Sequence, residues 1–539
     1  MRWWGWGEGA GAVTLPAAAE SMLRSELSLD PTRGVERMAL EDVWLPEAAL
    51  SARARRRLVA VVGEGCVRED RLARVSHAGG KSYPDLVRAR FGAAAGAPDA
   101  VVLPASSAQV AGLLQACAAE GVAVVPFGGG TSVVGGVEAL KGAHGAAIAL
   151  DLSRMDAIVS LDRTSLTATL QPGLLGPELE RRLGAEGLTL GHFPQSFEFS
   201  TVGGWVATRS AGQASTGYGA IDELVQAVEL QAPAGTLRTR DAPASAAGPP
   251  LRELIVGSEG VLGVITEATL AIRPRPEDRH FEAWSFQTFE EGVGAFRAME
   301  QADSSPDVAR LSDEEETRLF KALGSSGGLT ERAGDRYLRL RGHGGACLAF
   351  TCFEGSRTEV ARRRGHTAEL LRAAGGLSLG TRPGRSWLRG RFAAPYLRDD
   401  LLDRGAMVET LETATRWSNL GALYAAVRSA LVEALSQRGT PPLVMCHVSH
   451  LYRSGASLYF TFFARQERGA QLPQWRAAKQ AAGDAILAHG GTITHHHAVG
   501  RDHAPWIEAE VGELGLDVLR AVKERLDPDG IMNPGKLLP

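Results

Sequence analysis

From Pro98 onward the apolar positions of the chain alternate between two periods. The run AVVLP is β-branched and strand-length, SSAQVAGLLQACAAEG spaces its apolar residues as a helix does, and VAVVPF returns to strand texture. Ser106 or Ser107 is placed to cap that helix and Gly121 to end it. Strand-like runs continue through AAIALDLS, AIVSLD, LTATLQPG and LVQAVELQAP to GVLGVITEATLAIRPRP, so residues 96–276 read as one mixed α+β domain. The segment PRPED, with Pro274 and Pro276, reads as a linker. Over 277–494, strand candidates (HFEAWSF, ACLAFTCF, LVMCHVSH, ASLYFTFFA) alternate with helices such as FEEGVGAFRAMEQA and TEVARRRGHTAELLRAA. That pattern predicts a second, substrate-binding or cap domain: an antiparallel sheet with helices packed on it. Residues 1–95 read as a polar, mainly helical segment, SELSLDPTRGVERMALEDVW included, and 495–539 as a helix with a Pro/Gly-rich tail.

Charge narrows the function classes. Lys+Arg number 58 against 62 Asp+Glu, a net charge of −4, which argues against a nucleic-acid binder that needs a strong global positive field. Cys66, Cys117, Cys347, Cys352 and Cys446 are odd in number, scattered and without a CxxC pair, so no disulfide framework is expected. Nowhere do 18 apolar residues run together, and the start lacks a continuous apolar stretch, which predicts a cytoplasmic protein without a transmembrane helix. Arginine carries nearly all the positive charge, and Ala and Gly are abundant, a coding bias expected of a GC-rich bacterial genome.

The 64 glycines exceed the usual share of roughly 7% and follow no Gly-X-Y period. Gly128, Gly129 and Gly130 follow the strand-like VAVVPF and precede Thr131 and Ser132, so consecutive backbone N–H groups can converge on an anion such as a pyrophosphate. A tight loop is an equal reading of that triplet taken alone. Val133 breaks a GxGxxG pattern, and no GK[ST] follows, which excludes the Rossmann and P-loop readings. Two more Gly/Ser/Thr-rich clusters, STVGGWVAT at 200–208 and GSEGVLGVITE at 257–267, would let three loops on one domain surround a large, flat, phosphate-bearing cofactor.

In combination, PFGGGTS, STVGGWVATRSAG and GSEGVLGVITEATLAIRP resemble the FAD-binding domain of the vanillyl-alcohol oxidase/p-cresol methylhydroxylase flavoproteins. The resemblance implies a two-subdomain FAD-binding domain. It places FAD contacts at Pro126, Phe127, Gly128, Gly129, Gly130, Thr131 and Ser132, and at Gln195, Ser196, Phe197, Glu198, Phe199, Ser200 and Thr201. Further contacts fall on Thr208, Arg209, Ser210 and Ala211, and on Glu259, Gly260, Val261, Leu262, Gly263, Val264 and Ile265. These segments hold no histidine for covalent attachment, so FAD is expected to bind non-covalently.

Within that superfamily the chain is similar from end to end to the alkyldihydroxyacetonephosphate synthases, on RWWGWG, PQSFEFSTVGGWVATRSAG, RLSD at 310–313, YLRD at 396–399, GASLYF and THHHAVG. The alternative is an FAD-dependent D-2-hydroxyacid dehydrogenase or oxidase of the D-lactate type. Its HxGDGNxH and GTxxxEHGxG correspond here to CHVSHLYRSG and GTITHHHAVG, which lack the Asp, the Asn and the acidic ligand. Two features depart from the synthase pattern: His447 in CHVS stands where the synthases have an arginine, and the tail ends NPGKLL. The resemblance implies ether-lipid synthesis, in which the acyl chain of acyl-dihydroxyacetone phosphate is exchanged for a long-chain fatty alcohol through a flavin N5 adduct, with no net redox change. It also implies a homodimer, and a C-terminal segment that closes onto the FAD site.

By the same resemblance Tyr459, His495, His496 and His497 are catalytic, and Arg398 and Arg310 bind substrate. A free tyrosine has pKa about 10, so use as a base near pH 7 requires positive charge nearby, which Arg398 and the histidines could supply. If the strand-like GGTIT continues, His495 and His497 share one face and His496 takes the other. No carboxylate lies at ligand spacing from the run, so no metal is expected. Residues 361–391 hold Arg362, Arg363, Arg364, Arg372, Arg382, Arg385, Arg389 and Arg391 against the single acid Glu369. That stretch is read as a mobile basic gate for a phosphorylated lipid or for the inner face of an anionic membrane; a solvated helix face is an equal reading.

Overall fold

The computed structural model describes residues 1–8, 15–29, 37–324 and 328–539. Part of SELSLDPTRGVERMALEDVW therefore lies outside the described residues. The class is α+β, with three main sheets.

The first sheet runs in the order Val67–Arg68, Ala100–Val102, Ala146–Asp151, Val122–Phe127, its last three strands parallel. Helix Ser107–Glu120 covers it. Ser106 Oγ accepts the Gln109 N–H at 3.2 Å to start that helix, and Gly121 ends it in the left-handed region at φ 62°. Its apolar side, Val110, Leu113, Leu114 and Cys117, packs with Val102, Val124 and Ile148. Helix Ala52–Val62 and strand Val67–Arg68, from the N-terminal segment, join the same core.

The second sheet is antiparallel in the order Ile158–Asp162, Thr167–Leu170, Val264–Ala271, Val225–Ala232, Gly235–Arg238. These two sheets correspond to the two subdomains that the resemblance implies.

The third sheet has eight antiparallel strands. Its order is Leu377–Gly380, Asp278–Phe286, Cys347–Gly355, Val308–Ser312, Leu443–Val448, Gly455–Arg465, Ala406–Arg416, with Leu451–Tyr452 paired to Gly455–Arg465. Helices Phe289–Gln301, Arg357–Ala373, Leu420–Gln437 and Gln471–Ala488 bury one face of it. Strand alternation decides which side chains remain for the other face. Leu311, Cys446, Leu458, Phe460 and Leu411 point into the helix-covered core, so Arg310, His447, Tyr459 and Glu412 point the opposite way. Among the described residues no helix is long and apolar enough to cross a membrane.

Candidate active site

The strand Val122–Phe127 delivers Gly128–Gly130 into close contact with the 195–201 segment. A Cβ on Gly129 would lie 1.7 Å from the Phe199 carbonyl oxygen, and one on Gly128 would lie 2.4 Å from Thr201 Oγ1. Gly260, at φ 75°, takes a conformation disfavoured for any residue with a Cβ and sits against Pro126. The three glycine loops thus close on one cleft with about 680 Å³ of empty space, open to solvent. Pro126, Phe127, Gly128, Ser132, Thr201 and Thr208 line it, and Glu259, Gly260, Gly263 and Ile265 complete its wall. Val134, Pro172, Ala207 and Ala498 also line it; the first two lie outside the motifs marked in the sequence. A cradle whose glycines leave no room for a side chain, Gly129 against the Phe199 backbone and Gly128 and Gly260 against Thr201 and Pro126, fits a flat, phosphate-bearing dinucleotide such as FAD.

The side chains of other residues expected at FAD also make contacts within the protein. Gln195 Nε2 donates to the Arg391 carbonyl at 2.9 Å, Phe197 stacks on Phe392 at 5.5 Å, and Phe199 meets Trp6 edge-on. Ser200 Oγ accepts from Trp205 Nε1 at 2.7 Å, Arg209 pairs with Glu253 at 2.8 Å, and Ser210 Oγ lies 3.2 Å from His192 Nε2. Val261, Leu262, Val264 and Ala211 are buried. The opening RWWGWG also gains a role here: the Trp6 N–H donates to Asp399 Oδ2 of YLRD at 2.6 Å, tying three distant motifs together. The NPGKLL tail is structural too. Asn533 Nδ2 donates to the carbonyls of Glu259 (2.7 Å) and Gly136 (3.2 Å), and Lys536 Nζ to that of Glu138 (2.9 Å).

The histidine run departs from the expected strand. Residues 491–500 form no strand, and one buried carboxylate gathers all three histidines. Glu412, 0% exposed, accepts from Thr494 Oγ1 (2.8 Å) and from the backbone N–H groups of His495 (2.5 Å), His496 (3.0 Å) and His497 (2.8 Å). Those N–H groups point to a single acceptor, so the alternation expected of a strand is lost. The Nδ1 atoms of the three rings lie 4.0, 3.5 and 3.7 Å from the same carboxylate. Beyond the run, Glu259 accepts from the N–H groups of Val499 and Gly500, both at 2.7 Å. A glutamate from each domain therefore holds the loop, and Ala498 between them lines the cofactor cleft.

Burial opposes charge at Glu412, yet the surrounding imidazoles and N–H groups keep its carboxyl well below the ordinary range. Burial pulls His495 and His497 below their ordinary value and His496 well below it, Glu412 opposing, so the run is neutral near pH 7. Tyr459 lies opposite Glu412 on one side and His447 on the other, its ring stacked on His447 at 4.7 Å and edge-on to His497 at 5.4 Å. Its expected acidification is absent from the protein alone: burial pushes the phenol up to about 12, and the pull of Arg310 does not compensate. His450, absent from the sequence reading of the site, stands 5.0 Å from His495 and 5.1 Å from His496, ring to ring.

Arg310 Nη2 lies 3.0 Å from both Glu316 Oε1 and His447 Nδ1. Burial would raise Glu316, but Arg310 and His447 outweigh it and hold the carboxyl at about 2. Arg398, on helix Ala394–Asp403, donates from Nη1 to the Lys81 carbonyl at 2.8 Å. The Nε of each arginine is buried and has no partner among the described residues, a donor left over for an anionic ligand.

The arginine-rich stretch runs through helix Arg357–Ala373, the edge strand Leu377–Gly380 and helix Thr381–Gly390. Arg363 pairs with Asp307 at 3.1 Å, Arg364 with Glu282 at 2.6 Å, and Arg372 lies over Trp284. Arg391 is half-buried, and the loss of solvent around it brings it down to about 10. Trp387 and Leu388 pack against the core of the second sheet, leaving Arg362, Arg382, Arg385 and Arg389 exposed.

Residues 98–240 match the family described as FAD binding domain, and residues 275–537 the family described as FAD linked oxidases, C-terminal domain. Alkyldihydroxyacetonephosphate synthase of Dictyostelium discoideum is 36% identical over 480 residues, covering 88% of this chain and 78% of that one. The same enzyme of Trypanosoma brucei brucei is 35% identical over 487 residues, 89% of this chain and 79% of that one. A solved structure of alkyldihydroxyacetonephosphate synthase superposes with a TM-score of 0.87 at 31% identity, over 100% of this chain and 99% of that chain. p-Cresol methylhydroxylase with substrate bound superposes over 90% of this chain and 96% of that chain with a TM-score of 0.66 at 14% identity, a likeness of fold alone.

Proposed function

The chain belongs to the alkyldihydroxyacetonephosphate synthase family of FAD-dependent enzymes, and from that premise we propose that it makes ether lipids by exchanging the acyl chain of acyl-dihydroxyacetone phosphate for a fatty alcohol. The bond between the dihydroxyacetone carbon and the ester oxygen breaks, and the fatty acid leaves as its carboxylate. The alcohol oxygen bonds to the same carbon and loses its proton. The chemistry that FAD supplies when bound is the temporary activation of the carbon beside the ketone, without net electron transfer.

One observation carries the reading: three neutral imidazoles are held on Glu412, opposite Tyr459, in a loop that runs directly into the wall of the flavin cleft. A neutral imidazole can accept the alcohol proton. Tyr459, protonated at neutral pH, donates a hydrogen bond to a substrate oxygen. Arg310 and Arg398 present their unpartnered Nε donors to the phosphate and to the departing carboxylate.

Purified holoprotein given palmitoyl-dihydroxyacetone phosphate and labelled hexadecanol is expected to form labelled ether product. Because the run stays neutral below the ordinary histidine value, the rate should hold as pH falls through 6.5 and decline only below it. Absence of ether product, or a decline centred above 6.5, would contradict the assignment of the run as proton acceptor.

A further inference from the structure

Two buried polar side chains behind the histidine run have no role in the transfer step above: Lys479, on helix Gln471–Ala488, and His503, 9% and 4% exposed. Neither lines the cofactor cleft. They touch each other, Lys479 Nζ on His503 Nε2, and His503 Nδ1 lies 2.8 Å from the Ala498 carbonyl oxygen. A carbonyl only accepts, so Nδ1 carries the ring proton. Burial, with Lys479 beside it, pulls the imidazole down to about 3, so the ring is neutral and its bare Nε2 accepts from the lysine. The pair is thereby fixed in one tautomer, with one donor aimed at one carbonyl. Glu409, Asp502 and Glu412 offset the charge of the buried ammonium.

Ala498 has φ 73°, in the left-handed region that a Cβ disfavours, and it lines the cofactor cleft. Its carbonyl and the Val499 N–H are the two edges of one planar peptide. His503 holds the first edge, and Glu259, itself left-handed at φ 52°, accepts from the second at 2.7 Å. The plane cannot turn without breaking both bonds. Before it stands His497, held on Glu412; after it comes Gly500, where a Cβ would lie 2.2 Å from the carbonyl oxygen of Val134 in the cleft wall. We propose that Lys479 and His503 are positioning residues for the transfer reaction: by gripping the Ala498 carbonyl they keep that residue left-handed, and so set the placement of the histidine run against the flavin cleft. The proposal rests on the transfer reading above for its effect on rate, and on the cleft alone for its effect on flavin.

The test is a double-mutant cycle on holoprotein. His503→Phe keeps a flat ring and removes the donor. Alone it should lower kcat/KM at least 30-fold, mostly through kcat, and raise the flavin dissociation constant at least tenfold, read from the fluorescence of FAD released on dilution. Ala498→Gly lets position 498 take the left-handed region without a grip on its carbonyl. Measured against Ala498→Gly alone, adding His503→Phe should therefore cost less than fivefold in both quantities. His503→Gln, whose amide can donate to the same carbonyl, should lose no more than fivefold. Thermal unfolding identifies any variant that does not fold; should His503→Phe be one, Lys479→Met carries the same cycle, because it leaves Nε2 unpaired beside an intact ring. Equal losses with Ala498 and with Ala498→Gly overturn the proposal, as does a His503→Phe protein within threefold of wild type. Failure of both variants to fold also overturns it, since the pair would then hold the fold and not the loop. A flavin dissociation constant that follows the cycle in a protein making no ether would sink the transfer reading and leave the positioning pair standing; ether formation with equal losses in both backgrounds would do the reverse.

Discussion

Glu412→Gln is expected to lower transfer activity at least 100-fold while the protein keeps its flavin. Four donors converge on the carboxylate: Thr494 Oγ1 and the N–H groups of His495, His496 and His497, at 2.5 to 3.0 Å. Hydrogen bonds to a charged acceptor contribute about 1.5–3 kcal/mol each. An amide replaces one acceptor by a donor that faces donors, so the loop must shift. A displacement of about 1 Å at a reacting group costs on the order of 100-fold in rate. The other anchor of the loop, Glu259 on the N–H groups of Val499 and Gly500, is untouched, so the cofactor cleft stays closed on that side. Measuring kcat and KM together with the flavin-to-protein absorbance ratio separates the outcomes. A variant within threefold of wild type would remove Glu412 from the account, and loss of flavin would mean that Glu412 holds the fold and not the site.

Gly129→Ala should abolish flavin retention. The new Cβ would lie 1.7 Å from the Phe199 carbonyl oxygen and 2.8 Å from its carbon, so backbone meets backbone and no rotamer change relieves it. Gly128→Ala meets only the Thr201 hydroxyl, at 2.4 Å, and is expected to weaken retention without abolishing it. Gly145→Ala, with nothing within 4 Å, should behave as wild type. Flavin content after gel filtration, with thermal unfolding of each variant, reads the series. Full flavin in Gly129→Ala would show that the loops do not meet as described.

Much of the fold is legible because local signals agree with tertiary packing. Helix Ser107–Glu120 begins and ends where its cap residues indicate. In GASLYF the alternation that buries Leu458 and Phe460 turns Tyr459 toward the site. What was not legible depends on partners far along the chain. GGTIT has strand texture, yet Glu412, 83 residues before His495, takes the N–H groups a strand would have paired. Strand Ala406–Arg416 carries two buried acids, Glu409 and Glu412, and nothing local tells which of them meets the histidine run. Charge near Tyr459 suggested an acidic phenol, but burial outweighs it. In segment 195–200, which the resemblance assigns to the cofactor, the side chains of Gln195, Phe197, Phe199 and Ser200 also contact Arg391, Phe392, Trp6 and Trp205, partners no local pattern announces. Such side-chain directions follow from neighbours that no local pattern names. His447, which departs from the synthase motif, is explained by its surroundings: it stacks on Tyr459 and lies 3.0 Å from both Arg310 and Glu316.

The central claim is alkyl transfer without net redox change on the face that carries Tyr459 and the histidine run. The most direct measurement is anaerobic incubation of one holoprotein preparation with palmitoyl-dihydroxyacetone phosphate and labelled hexadecanol, with no electron acceptor, beside a second incubation with D-lactate and an electron-accepting dye. The account predicts labelled ether and released palmitate in equal amounts, many turnovers per flavin, at least 100-fold less in Tyr459→Phe, and no dye reduction from D-lactate. Dye reduction by the hydroxyacid with no ether product would contradict it.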